Sequence, residues 1–161
     1  MKGLGPVLLR FVLGAVFIAH GANKLFGAWA GPAIGAGGLS GTAALLGTLH
    51  LEPAFPLAVL LGVTEFVGGI FLVLGFLARW ASLALAISMG VAIWRVHWQF
   101  GFFLNWMGVP NRGEGIEYAL VLIAALLCMA MTGAGDFSVD GRNARSADAK
   151  AMGRARLRGK V

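Results

Sequence analysis

Ala54–Leu77 reads AFPLAVLLGVTEFVGGIFLVLGFL, an apolar run whose only charge is Glu65, near its middle. About 20 consecutive apolar residues cross the ~30 Å hydrocarbon core of a bilayer, so the run reads as a membrane-spanning helix. A carboxylate at that depth costs roughly 2.5–3.5 kcal/mol to insert, which makes an intramembrane acid a functional or pairing site by default. The fold and the function both turn on what Glu65 meets.

Working outward, three more apolar blocks emerge: Leu4–Phe26, a stretch from Arg79 to about Gln99, and Glu114–Thr132. Of the 161 residues, 58% are hydrophobic and 12% charged, about half the charged fraction of soluble domains. The expected fold is therefore an all-α integral membrane protein, a four-transmembrane-helix bundle. The first block carries a lysine and bulky residues, HGANKLFGAW, where a signal peptide would need small ones, so it reads as a retained signal-anchor span.

The net charge of +6 lies largely in Gly141–Val161, which holds seven Lys or Arg residues and one acid, Asp148. Lys2, Arg10 and Arg79 fall on the same side in a four-span topology, which places both termini in the cytoplasm. The tail lacks aromatic residues and any recognisable nucleic-acid module, so attraction to anionic lipid explains its charge better than nucleic acid does. Its small, polar composition predicts disorder. The lone Cys128 excludes an internal disulfide or a CxxC redox pair.

Between the first two spans, Leu39, Ala43, Leu46 and Leu49 recur at helical spacing, with Ser40 as a candidate N-cap. A segment this short lies flat rather than spanning, so a short interfacial helix is expected in the first outer loop, as a lid over the bundle. The brief Gly75–Ala78 connection predicts that the second and third spans form a hairpin. The third loop is dense in aromatics, including Trp94, Trp98, Phe102, Phe103 and Trp106. An interfacial belt accounts for them; the alternative is the wall of a pocket for a flat apolar ligand such as a quinone ring. Asn111 and Glu114 then fit a capping box for the fourth helix.

Counting depth along the spans puts His20, Lys24, Arg95 and His97 in the outer parts of the two outgoing helices. Glu65 falls near mid-depth on a returning helix, on the order of 10 Å deeper than Glu117. Two cations thus face two acids, with two histidines among them, and pairing is the expected outcome out of water. Two readings stand level: a network that holds short helices together, or a polar pocket that binds a ligand or exchanges protons. His20 and His97 as paired haem ligands are the weaker reading, since most lone histidines are not ligands. No histidine has a zinc-like companion spacing.

The segments LLRFVLGAVFIAHGANKLFG, GLSGTAALLGTLHL, TEFVGGIFLVLGFLARWASLALAISMGVAIWRVH, GFF, GEGIEYALVLIAALL and GAGDFSVD, in this order, cover most of residues 8–140. Together they resemble the DoxX family of small bacterial membrane proteins. The resemblance implies a DoxX-like four-helix domain over residues 1–140 in the bacterial inner membrane, followed by the basic tail, 141–161. It also implies a redox- or oxidative-stress-linked subunit, beside partners such as a sulfurtransferase or a superoxide dismutase. Arg10, His20, Lys24, Glu65, Arg79, His97 and Glu117 match recurring polar positions of the family, without a catalytic assignment. The leading expectation is a quinone or similar small ligand held by Glu65, Lys24, His20, Glu117, Arg95 and His97, with Trp94, Trp98, Phe102 and Phe103 on its ring. No intrinsic cofactor or metal is expected, and any quinone-linked oxidoreduction depends on partners. The alternatives are a scaffold or assembly factor for redox enzymes, and small-solute or proton passage, which four short spans permit only in an oligomer.

Overall fold

The computed structural model describes residues 4–29, 37–110 and 112–158, and among them there is no strand. The helices are α1 (Leu4–Phe26), α2 (Gly38–Thr48), α3 (Ala54–Leu74), α4 (Ala78–Ala92), α5 (Glu117–Thr132) and α6 (Val139–Arg158). A π-helical turn, Ile93–His97, and a 3₁₀ turn, Trp98–Phe100, carry α4 onward. Three helical stretches are long and apolar enough to cross a membrane: Leu4–Phe26, Ala54–Leu74 and Ala78–Phe100. Glu117–Thr132 is a shorter apolar helix, about 24 Å long at 1.5 Å per residue.

Large apolar side chains point outward from each of these helices. Leu8 is 68% exposed, Leu60 62%, Ile87 69% and Val121 62%. Lipid, not water, solvates such a girdle at no cost, while helices satisfy the backbone internally. The interior is smaller: Leu13, Phe17, Leu72, Leu85, Leu126 and Met129 pack with the alanines of α4 into one core.

α3 packs most extensively on α1, and α4 on α5, so the short α3–α4 connection does not make these two the main partners. Glycines explain the choice. Gly14 and Gly21 on α1 repeat every two turns, as do Gly62 and Gly69 on α3. A Cβ on Gly69 would sit 2.8 Å from the Gly14 carbonyl oxygen, and one on Gly21 would strike the Phe66 backbone. Small residues thus let the two backbones touch. Glu65 lies on this same stripe of α3, which turns it towards α1.

Several local expectations change. α2 begins at Gly38, capped by Gly37, so Ser40 sits inside the helix. Its inward face is the one the spacing predicted, with Leu46 buried. α5 begins at Glu117 with Ile116 as its N-cap, three residues after the expected capping box. Glu114 instead accepts the Asn105 N–H at 2.6 Å, and Asn111 lies outside the described residues. The tail, expected to be disordered, is helical as far as Arg158. Alanines spaced through it favour helix, and Asp140 stands in its first turn, where a negative charge is favourable.

Candidate functional site

Glu65 is 1% exposed, and its Oε2 accepts a hydrogen bond from Lys24 Nζ at 2.6 Å. The Gly62–Lys24 approach makes this possible: a Cβ on Gly62 would lie 3.5 Å from the Lys24 Cβ. The pair forms one wall of a cavity of about 340 Å³ enclosed by α1, α2, α3, α4 and α5. Lys24 is 22% exposed; a buried carboxylate paired with a half-buried cation is a weak stabiliser compared with apolar residues of the same shape, so a pair that opens onto a cavity calls for more than a packing explanation.

The remaining cavity walls are mostly aliphatic, with Leu46 and Leu49 from α2, Leu61 from α3 and Met89 from α4 among them. Polar groups are few: His20 and Lys24 from α1, Thr42 from α2, Ser88 from α4, Tyr118 from α5, and Arg95, His97 and Glu114 towards the third loop. Among the described residues His20 has no hydrogen-bond partner, so its imidazole is available to whatever enters. Ser88 donates to the Leu85 carbonyl oxygen at 2.8 Å, leaving its lone pairs free to accept.

The C-terminal end of α4 shapes the site further. A π turn widens a helix locally and recurs at functional sites; here it spans Ile93–His97, and Arg95, Val96 and His97 all line the cavity. Arg95 donates to the Leu49 carbonyl oxygen at the end of α2. His97 Nδ1 donates to the Glu114 carbonyl oxygen at 2.9 Å, which leaves Nε2 as its free nitrogen. α2 is held down at a second point, because Thr42 Oγ1 also donates to the Lys24 carbonyl oxygen at 3.3 Å. A helix whose last carbonyl meets a cation is favourably placed.

Five of the six expected polar residues therefore meet at one cavity: Glu65, Lys24, His20, Arg95 and His97. Glu117 does not. Its carboxylate accepts the Leu104 N–H at 3.1 Å and ties the third loop to the start of α5. The aromatics expected to hold a ring do not line the cavity either. Trp94, Trp98, Phe102 and Phe103 are exposed, the last two stacked edge-to-face at 5.2 Å, an arrangement that suits the interfacial belt. Thr42, Ser88, Tyr118 and Glu114 line the cavity without having been singled out for it. Among the described residues no cluster of His, Cys, Asp or Glu has the makings of a metal site.

A family model, DoxX, matches residues 5–98, which include α1, α2, α3, α4 and the π turn. The chain belongs to the DoxX family. That match includes Lys24, Glu65, His20, Arg95 and His97, so the DoxX region carries the polar wall of the cavity, while α5 supplies Tyr118, Ala119 and Leu122 from beyond it. This DoxX chain is also similar to a protein of Bacillus subtilis (strain 168) named "Putative oxidoreductase CatD", at 25% identity over 137 residues, 85% of each chain. No solved structure matches. A multi-pass membrane protein is the coarse reading that DoxX membership and the three long apolar helices support together.

Proposed function

We propose that this DoxX protein crosses the bacterial inner membrane four times, with α5 as the short fourth span, α2 flat on the outer surface and both termini in the cytoplasm. Within it, the cavity binds a quinone or similar small ligand, as one subunit of a redox- or oxidative-stress-linked system whose electron-transfer partners are separate proteins. A single observation carries the reading: buried Glu65 paired with half-buried Lys24, and His20 without a hydrogen-bond partner among the described residues, face a mostly apolar cavity of about 340 Å³. That volume lies within the range of small-molecule sites, and few polar groups in an apolar shell is their usual chemistry. A ring headgroup fits it; a long isoprenoid tail has to leave between helices into lipid.

In this reading the aliphatic walls of α2 and α4 hold the ring, and His20 and the Lys24 ammonium bond its oxygens. Glu65 keeps Lys24 in place, takes up the proton that a ring hydroxyl releases when a partner protein reoxidises the hydroquinone, and returns a proton to that oxygen when the partner's electrons reduce the quinone. The name of the Bacillus subtilis relative is in keeping with such a role. The test is the affinity of purified protein for 1,4-naphthoquinone, with Glu65→Gln beside the wild type. Binding weakened about tenfold is expected, equivalent to ~1.4 kcal/mol; unchanged affinity together with unchanged resistance of cells to quinone stress rules the carboxylate out.

A second reading, a scaffold for redox enzymes without a ligand of its own, draws on the exposed Trp94, Trp98, Phe103 and Trp106. It predicts co-purification of a redox enzyme that is lost on replacing these rings, in a protein that binds no quinone.

A further inference from the structure

Arg95 is the second cation of the cavity, and unlike Lys24 it has no acid to face. Among the described residues no carboxylate lies within ion-pair distance of it. Its guanidinium donates to the Leu49 carbonyl oxygen and rests 5.0 Å from the Trp94 ring. Its Nε is buried and has no hydrogen-bond partner. Arg95 is half-buried, and among the described residues one carbonyl and one ring face are all that offset its charge, whereas charges drawn out of water are normally paired and hydrogen-bonded. The other charged groups lining the cavity do not supply the deficit. Lys24 and Glu65 neutralise each other at 2.6 Å. Glu114 is exposed, and its carboxylate is engaged by the Asn105 N–H at 2.6 Å.

We propose that Arg95 is the anion-recognising group of the cavity and that the ligand is a small organic anion, carrying an acidic ring hydroxyl or a carboxylate on a body of one or two rings. The proposal rests on the quinone-class reading above and narrows it to quinones with an acidic ring hydroxyl. Arg suits the task because its planar array of donors grips an oxyanion through more than one hydrogen bond. The anion engages the guanidinium from the cavity side, and its aromatic body lies on Leu46, Leu49 and Met89. Because the same guanidinium holds the end of α2, the bound anion and the α2 carbonyl share one cation.

Three probes of similar size test this by equilibrium dialysis against purified protein: 1,4-naphthoquinone, which is neutral; 2-hydroxy-1,4-naphthoquinone, which is an anion at neutral pH; and 2-naphthoate, an anion that is no quinone. The hydroxyquinone is expected to bind about tenfold tighter than the neutral quinone. Arg95→Gln is expected to abolish that preference, so that the variant binds the hydroxyquinone no tighter than the neutral quinone. Arg95→Lys keeps the charge and is expected to keep part of the preference, which decides the matter if the glutamine variant does not fold. Equal binding of the two quinones by the wild type overturns the proposal and leaves the quinone reading standing. So does a preference that persists in Arg95→Gln, or one that is absent in Arg95→Lys. Binding of 2-naphthoate without either quinone overturns the quinone reading and keeps Arg95 as the anion group. Binding of none of the three overturns both.

Discussion

The two ends of the bundle use the same kind of residue to opposite effect. At the end where α3 turns into α4, Arg10 is 4% exposed and donates to the Ala134 carbonyl oxygen at 3.4 Å and to that of Phe137. Asp140 accepts the N–H groups of Leu77 and Ala78, both at 3.0 Å, and so caps α4 from 62 residues away. Its own N–H donates to the Gly75 carbonyl oxygen at 3.0 Å. Gly75 stands at φ +65°, with Arg10 and Ser138 filling the space a side chain would need. Here charge joins loops, and the hydrogen-bond partners of Arg10 and Asp140 are backbone groups, with the Arg10 Nε, like that of Arg95, buried without one among the described residues. At the other end backbone partners recur, Leu49 for Arg95 and Leu104 for Glu117, but a cavity is added, with Lys24 on Glu65 and, among the described residues, no acid on Arg95 and no hydrogen-bond partner for His20. Ionic groups satisfied by main chain close a structure, and ionic groups left towards a void are available to a ligand.

The comparison can be broken most sharply at Lys24. Lys24→Met leaves Glu65 buried without its cation, which is expected to cost roughly 3–5 kcal/mol in thermal unfolding of the detergent-solubilised protein. Replacing both, as Lys24→Met with Glu65→Leu, is expected to recover that stability to within about 1 kcal/mol while quinone binding stays lost. A double variant that is stable and still binds would make the pair a bystander. Next comes Arg10→Met, with about 3 kcal/mol of stability removed through its charged hydrogen bonds. Ligand affinity measured on the folded fraction should not change; a loss of affinity larger than the loss of stability would show that the two ends are not separate.

Smaller effects follow for the cap and the belt. Asp140→Ala should cost about 1 kcal/mol, as loss of a helix cap does, with binding unaffected. Trp98→Leu should stay within ~0.5 kcal/mol, as a surface substitution, and leave quinone affinity as it was. A tenfold loss of affinity on that change would restore the aromatics as ring holders.

Much of this was legible in the sequence because it depends on one helix at a time. Apolar block length marked the long helices, and counting depth along them made Lys24 and His20 candidate partners for Glu65. The short α2 and its inward face followed from the spacing of Leu39, Ala43, Leu46 and Leu49. What escaped depends on rotation about helix axes and on pairs distant in the chain. Ser88 and Tyr118 look unremarkable until α4 and α5 are turned inward. The partner of Arg10 lies 124 residues on, and Asp140 caps a helix to which it does not belong. Glu117 has the right depth for the polar network, yet the turn from Gly101 to Ile116 places the Leu104 N–H in front of it. The aromatics of the third loop were chosen by composition, which does not say which side of a wall a ring is on.

The central claim is that the cavity beside Glu65, and not the surface around it, is where a ligand binds. Ala92 lines that cavity of about 340 Å³, so a larger side chain there takes up ligand space. The most direct measurement is the saturable binding of 1,4-naphthoquinone to wild type and Ala92→Phe, each shown to be folded by its thermal transition. The account predicts binding in the wild type and its loss, by tenfold or more, in the filled variant whose transition is as high or higher. Equal affinities in two equally folded proteins would contradict it.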